Sequence, residues 1–333
     1  MTDTLFLSSD DVQSLATPSA YVEAVADAYR QHGEGAPAEP RQRLLRADPG
    51  GMFTSYTALL PESGYMGGYM YAAGFGAGDA WFMTPLFDAE HGEPLALLDG
   101  ASMNPFKTGA AGAVAVDHLA RTDATTLGII GTGPQARGQL RATATVRSLT
   151  DVRVYSPTKA NRESFAAEFT DRLEGATVEA VSSPSTAVTG ADIVITATTA
   201  SEPVFDGEDL EPGTHVTAMG QYNPKKRELD VRTIQRATYV PDLRARVTLD
   251  AGSVIAALEA GAVTEDHVQA ELGSIVAGVE PGRTSSEEIT VFDSGGTGIE
   301  TVGAAAMLYE RALEQGVGQT IPFAPASEAL IGR

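Results

Sequence analysis

The spacing of apolar positions changes along the chain, and each change marks a structural region. From Pro18 to Gln31 apolar residues fall at helical intervals (Tyr21, Val22, Val25, Ala28, Tyr29), which predicts an amphipathic helix. Between Arg41 and Leu98, apolar runs at Met52–Ala58, Gly67–Ala73, Trp81–Asp88 and Pro94–Leu98 alternate with glycines. Asp88-Ala89-Glu90-His91-Gly92-Glu93 reads as a hairpin turn, so this stretch is expected to form antiparallel sheet. Thr108–Arg121, rich in small residues, predicts a helix closely packed on one side.

Beyond Asp123 the pattern becomes strand–helix alternation. Strands are expected at Leu127–Ile130, Val152–Tyr155, Val178–Ala180, Ile193–Thr196 and His215–Met219, with helices at Gln135–Leu149 and Asn161–Phe169. Such alternation predicts a parallel sheet covered on both faces. A final helix, Gly303–Gln315, is expected to return to the first domain. The fold class is α/β: a Rossmann-type doubly wound parallel sheet over residues 119–302, plus a mixed α+β domain from 1–118 with 303–333.

The first of these parallel strands runs into Gly131-Thr132-Gly133-Pro134-Gln135-Ala136 and then a helix. In that context a G-x-G-x-x-A loop predicts dinucleotide binding. Gly131 permits the tight turn, Gly133 lets the backbone approach a pyrophosphate, and Ala136 allows close helix–strand packing. The pyrophosphate would rest on the helix N-terminus. The second strand ends in Tyr155-Ser156-Pro157-Thr158-Lys159-Ala160-Asn161-Arg162, with no acid to bind ribose hydroxyls. Ser156, Thr158, Lys159 and Arg162 instead suit a 2′-phosphate, so NADP(H) is preferred and NAD(H) remains possible. Thr196, Ala197 and Thr198 end a later strand, and with Thr108, Met219, Gly220 and Ser294 they complete the candidate cofactor set.

Composition narrows the partners. The net charge of −21 disfavours nucleic-acid backbones and anionic membranes. The absence of cysteine excludes disulfides and thiolate chemistry. No apolar run is long enough to span a bilayer, and the start Met1-Thr2-Asp3-Thr4 has no basic leader, so a cytoplasmic protein is expected. The only lysines are Lys107, Lys159, Lys225 and Lys226; scarce lysine with abundant acid points to a salt-rich, halophilic cytoplasm. The five histidines show no metal-ligand spacing and are read as structural, and Asp10-Asp11 as a solvated turn or helix cap.

Lys107-Thr108-Gly109-Ala110-Ala111-Gly112-Ala113-Val114-Ala115, then Leu119-Ala120-Arg121, precede the glycine loop. Pro40-Arg41, Gly92-Glu93-Pro94-Leu95-Ala96-Leu97, Glu228-Leu229-Asp230 and Phe292-Asp293-Ser294 with Gly298 take their places around them. In this order and spacing the chain resembles, over nearly its whole length, the ornithine cyclodeaminase/μ-crystallin family, which includes archaeal alanine dehydrogenase, ornithine and lysine cyclodeaminases and ketimine reductases. The resemblance implies a homodimer whose first domain serves substrate binding and dimerisation. It also implies hydride transfer between a nicotinamide and the α-carbon of a small α-amino or α-imino acid.

The resemblance further implies that Arg41 holds the substrate carboxylate, a task suited to a guanidinium fork. Where the family usually has a second arginine, in R-T-G-A, this chain has Lys107, which keeps the charge without the fork. A lysine expected in a G-x-K segment near Gly68-Tyr69-Met70 is read as replaced by Met70, and an aspartate before Glu228-Leu229-Asp230 by Tyr222. In the deaminating members those two groups move protons and place water. Their replacement favours an imine/ketimine reductase or amino-acid dehydrogenase. An ornithine cyclodeaminase-type deaminating lyase and an NADPH-binding protein with little catalysis are the alternatives. Substitute proton donors are Lys107, Tyr69, Tyr71 and Tyr222, the last near Lys225, Lys226 and Arg227, cations that can lower a phenol's pKa.

Overall fold

The structure, a computed structural model, describes residues 2–76 and 79–327. Met1, at the head of the leader reading, and residues 328–333, the end of the expected first domain, lie outside the described residues. In chain order the elements are β1 (Thr2–Leu7), α1 (Ser9–Leu15), α2 (Pro18–Gly33), β2 (Gln42–Arg46), β3 (Gly51–Leu60), β4 (Tyr65–Gly74), β5 (Asp79–Asp88), β6 (Pro94–Asp99) and α3 (Gly100–Leu119). Next come β7 (Thr126–Ile130), α4 (Pro134–Val146), β8 (Asp151–Tyr155), α5 (Lys159–Thr170), β9 (Thr177–Ala180), α6 (Pro184–Val188), β10 (Ile193–Thr196), β11 (His215–Ala218), α7 (Val231–Arg236) and β12 (Thr238–Pro241). The chain closes with α8 (Val247–Asp250), α9 (Gly252–Glu259), α10 (Leu272–Val276), β13 (Thr290–Asp293), α11 (Gly298–Gln315) and β14 (Gln319–Phe323).

The chain divides into two compact units, residues 1–107 with 297–333 and residues 108–296. The boundaries fall earlier than the 118/119 and 302/303 drawn from sequence: the second half of α3 packs against α4, and α11 already starts at Gly298, close against the Thr57 backbone of β3. A Cβ on Gly109 would lie 2.4 Å from the Gly138 carbonyl oxygen, and one on Gly112 would lie 2.0 Å from the Gln139 side chain. The small-residue run read from sequence is therefore the surface that lets α4 approach. The helix itself starts at Gly100 rather than Thr108, and the last helix at Gly298 rather than Gly303. Gly100, Asn104 and Pro105 have low helix propensity, which tertiary packing overrides here.

In the first unit a seven-stranded sheet runs β14-β1-β6-β5-β4-β3-β2. Its strands pair antiparallel from β2 through β6 and at β1–β14, while β1 and β6 are parallel. Helices α2 and α11 cover one face, joined by a hydrogen bond from the Tyr29 hydroxyl to Glu300 Oε2 (3.2 Å). Ser8 and Asp11 form a reciprocal capping box at the start of α1, so Asp11 fulfils the cap reading while Asp10 stands exposed beside it.

The second unit carries the parallel sheet. Its order is β12-β13-β11-β10-β7-β8-β9, all neighbours parallel. The sheet reverses its winding between β7 and β10, the switch point beside which open α/β sheets hold their ligands. Strands β7, β10, β11 and β13 are buried almost throughout; β7 and β10 carry apolar runs, while β11 and β13 also bury His215, Thr217, Thr290 and Asp293. His215 is fully buried between the Thr290 and Thr217 hydroxyls (2.9 and 3.0 Å); burial pushes its pKa down to about 3, so it sits neutral and structural.

Candidate functional sites

The glycine loop lies at the carboxyl end of β7, where the switch point requires it. Gly131 has φ +119°, and a Cβ there would meet the Ala197 carbonyl oxygen at 2.2 Å, so glycine is obligatory on both counts. A Cβ on Gly133, by contrast, would meet nothing within 4 Å: the backbone there borders open space. Gly133 caps α4 without a side-chain hydrogen bond, and Pro134 occupies the first turn. The end of α4 thus presents bare backbone and the positive end of a helix dipole, which suits a pyrophosphate. Arg137, which sequence reading passed over, donates to the Thr132 carbonyl and to Glu168 (2.8 Å), bracing the loop from behind.

At the end of β8 the four expected residues behave differently. Ser156 is buried, and its carbonyl accepts from Arg162 Nη1 (2.8 Å), whose guanidinium also lies 5.8 Å from the centre of the Tyr155 ring. Thr158 and Lys159 are exposed at the start of α5, with Lys159 3.6 Å from Glu163. Arg162 thus closes the loop, and Lys159 is the cation in solvent.

The ends of β10 and β11 are joined by a residue for which sequence reading offered no role. Glu228 is buried and accepts from the Thr196 hydroxyl (3.0 Å), the Thr198 amide (2.7 Å) and the Gly220 amide (2.6 Å). Burial raises its pKa, and these hydrogen bonds pull the other way. Met219 is buried beside them, and Thr108 is buried on α3, its carbonyl accepting from Gln139 (2.8 Å). At the end of β13 the Ser294 hydroxyl is buried without a partner among the described residues. An orphaned hydroxyl in the candidate cofactor set fits a ligand group completing its hydrogen bonding. Tyr222 lies on the adjoining loop, partly exposed.

Below Ser294 sits a second buried network. Arg246 lies 3.2 Å from both Asp242 and Asp250, and 3.0 Å from Asp293. Asp242 accepts from the Gly295 and Gly296 amides (2.7 and 2.9 Å), fixing the glycine turn after Ser294.

The first unit gathers the substrate-side candidates on the helix-covered face of its sheet. The Arg41 guanidinium lies 5.1 Å from the centre of the Tyr56 ring. Lys107 Nζ lies 5.9 Å from the same ring and 5.0 Å from that of Tyr69. Lys107 is almost fully buried and paired with Glu300 Oε1 at 2.8 Å. Tyr69 donates to the Gly100 carbonyl (3.0 Å), and burial holds its pKa well above the usual phenol value. Tyr71 packs against Tyr69 and Phe82.

Met70 lies elsewhere. Side chains alternate along β4, so Tyr69 and Tyr71 face Lys107 while Met70, more than a third exposed, faces the other side. Met70, read as standing in place of the expected lysine, thus lies on the opposite face of β4 from Lys107, and Tyr69 is the neighbour that faces it, a difference of one residue in strand parity. Glu300 was missed because it stands 193 residues from Lys107 in sequence.

Together, a doubly wound parallel sheet with a glycine loop at its switch point and a cation–tyrosine cluster in a separate α+β unit define a dinucleotide-binding α/β protein. Comparison places it more narrowly. The profile of the Ornithine cyclodeaminase/mu-crystallin family matches residues 2–316, and the chain belongs to that family. It is 40% identical over 239 residues to the Delta(1)-pyrroline-2-carboxylate reductase of Bacillus cereus, covering 72% of this chain and 73% of the relative. The structure of Thermococcus litoralis Delta(1)-pyrroline-2-carboxylate reductase in complex with NADH and L-proline superposes with a TM-score of 0.90 at 34% identity, covering 96% of this chain and 100% of that one. An archaeal alanine dehydrogenase dimer with bound NAD gives a TM-score of 0.90 at 32% identity, covering 97% and 100%. No helix among the described residues is long and apolar enough to cross a membrane.

Proposed function

We propose that this chain is an NAD(P)-dependent oxidoreductase acting on a C–N bond, and that it reduces the C=N bond of a small α-imino acid. The observation that carries this reading is the Lys107–Glu300 pair. Reduction needs a hydride at the α-carbon, supplied by the nicotinamide when bound, and one proton at nitrogen. Deamination needs in addition a base to activate and place water. Glu300 is not free for that work, because its two oxygens are engaged by Lys107 (2.8 Å) and Tyr29 (3.2 Å). In this reading Arg41 takes the carboxylate, and Lys107 carries the proton beside Tyr56 and Tyr69. The similarity to two pyrroline-2-carboxylate reductases supports a cyclic imine as the substrate class.

The test is an assay panel. Oxidation of NADPH or NADH by Δ1-pyrroline-2-carboxylate is expected, with no release of ammonia from ornithine. Ammonia release without imine reduction would establish the lyase instead, and cofactor binding without turnover of any substrate would establish a binding protein. NADPH is expected to bind more tightly than NADH, since residues 155–162 hold two cations and no acid. Equal or tighter NADH binding would refute that preference.

We also infer a homodimer formed through the open face of the first unit's sheet. Leu44, Phe53, Met70, Trp81 and Met83 share that face by strand register, Trp81 at 72% exposure and Met83 at 50%. An apolar patch of this kind marks an association surface. Changing Trp81→Glu together with Met83→Glu is expected to turn a dimer into a monomer in analytical ultracentrifugation. A double variant that remains dimeric would place the interface elsewhere.

A further inference from the structure

Glu228 is a buried carboxylate that the proposed chemistry does not use. It accepts from both sides of a gap: Thr196 and Thr198 belong to the end of β10, and Gly220 follows the end of β11. The approach is close, since a Cβ on Gly220 would lie 2.5 Å from the Glu228 carboxyl carbon. A second bridge joins the same loops, from the Gln221 side-chain amide to the Thr198 carbonyl (3.2 Å). Donors from both loops converge on this side chain, and an ionised carboxylate is the one group that accepts at both oxygens without presenting a hydrogen.

In a doubly wound sheet the two mononucleotide-binding halves divide a dinucleotide between them. β7, β8 and the glycine loop form the first half, and β10 and β11 lead the second. Glu228 joins only the loops of the second half. We propose that Glu228 is a positioning residue, clamping the β10 and β11 loops into the shape that receives the nicotinamide half of the cofactor. This rests on the dinucleotide reading of the unit. An isosteric glutamine cannot replace it. Whichever way its amide turns, the NH2 group faces either the Thr198 amide or the Gly220 amide, and one buried donor loses its acceptor.

The experiment compares two ligands on wild type and on Glu228→Gln by calorimetric titration: NADPH, and 2′-phospho-ADP-ribose, which lacks the nicotinamide. The variant is expected to bind NADPH roughly 10- to 100-fold more weakly, the scale of one buried donor left unpaired. Binding of the fragment is expected to change less than about threefold. Thr196→Val removes one donor and leaves the carboxylate. It should show the same split on a smaller scale, and it keeps the test alive if Glu228→Gln does not fold. Equal weakening of both ligands, or of neither, would overturn the clamp. Wild-type protein that binds neither ligand would overturn the dinucleotide reading and the clamp with it.

Discussion

Replacement of Arg246 by methionine is expected to destabilise the protein by about 3–5 kcal/mol, the scale seen when one partner of a buried ion network is removed. Arg246 is 3% exposed and stands against three carboxylates, those of Asp242, Asp250 and Asp293. Methionine fills much of the volume but removes the cation on which these carboxylates converge. The three acids would then stay charged without compensation or take up protons at neutral pH, and either outcome is unfavourable. Tyr239 donates to Asp293 (2.8 Å) and does not replace the charge. The loss has a direction with pH. Burial already raises the Asp293 pKa and Arg246 pulls it back; without Arg246 it rises further, so the variant's deficit is greatest above that raised value and shrinks as acid protonates the carboxyl. Urea unfolding of both proteins at pH 7.5 and pH 5.5 measures this; a difference under 1 kcal/mol at pH 7.5 would show that the cluster does not depend on its cation. Because Asp242 also holds the Gly295 and Gly296 amides, a variant that still folds should bind dinucleotide more weakly.

The features legible in the sequence are those whose physics is local. The glycine loop is recognisable because a positive φ at Gly131 and bare backbone at Gly133 admit few residue types. The Gly109–Gly112 run is recognisable because helix α4 can approach only small residues. What stayed hidden depends on pairing across distance or on parity. Nothing near Lys107 announces Glu300, and nothing near Glu228 announces that Thr196 and Gly220 will converge on it. Tyr69 and Met70 are neighbours in sequence, and only the register of β4 decides which one faces Lys107. The early start of α3 was hidden because Gly100 and Pro105 read as breakers when their packing is unknown.

The Lys107–Glu300 pair yields the prediction that separates stability from chemistry. Both side chains are almost fully buried, so Lys107→Met alone and Glu300→Gln alone each leave an altered, uncompensated site; the lysine change leaves a bare carboxylate and is expected to lose about 3–5 kcal/mol. The double variant should recover most of that loss. A neutral pair of similar volume has no charge to desolvate, and the glutamine carbonyl can still accept from Tyr29. Activity should not recover, because the proton assigned to the imine nitrogen leaves with Lys107. The expected result is therefore a strongly coupled double-mutant cycle in urea unfolding, with kcat down by at least about 100-fold in both Lys107 variants, the scale of general acid catalysis. Dinucleotide affinity should hold, since the glycine loop, Glu228 and Ser294 all lie in residues 108–296. A stable double variant with wild-type turnover would remove Lys107 from the chemistry and leave Tyr69, Tyr71 and Tyr222 as the candidate acids. A single Lys107→Met variant as stable as wild type would show that the pair is not held as a buried ion pair at all.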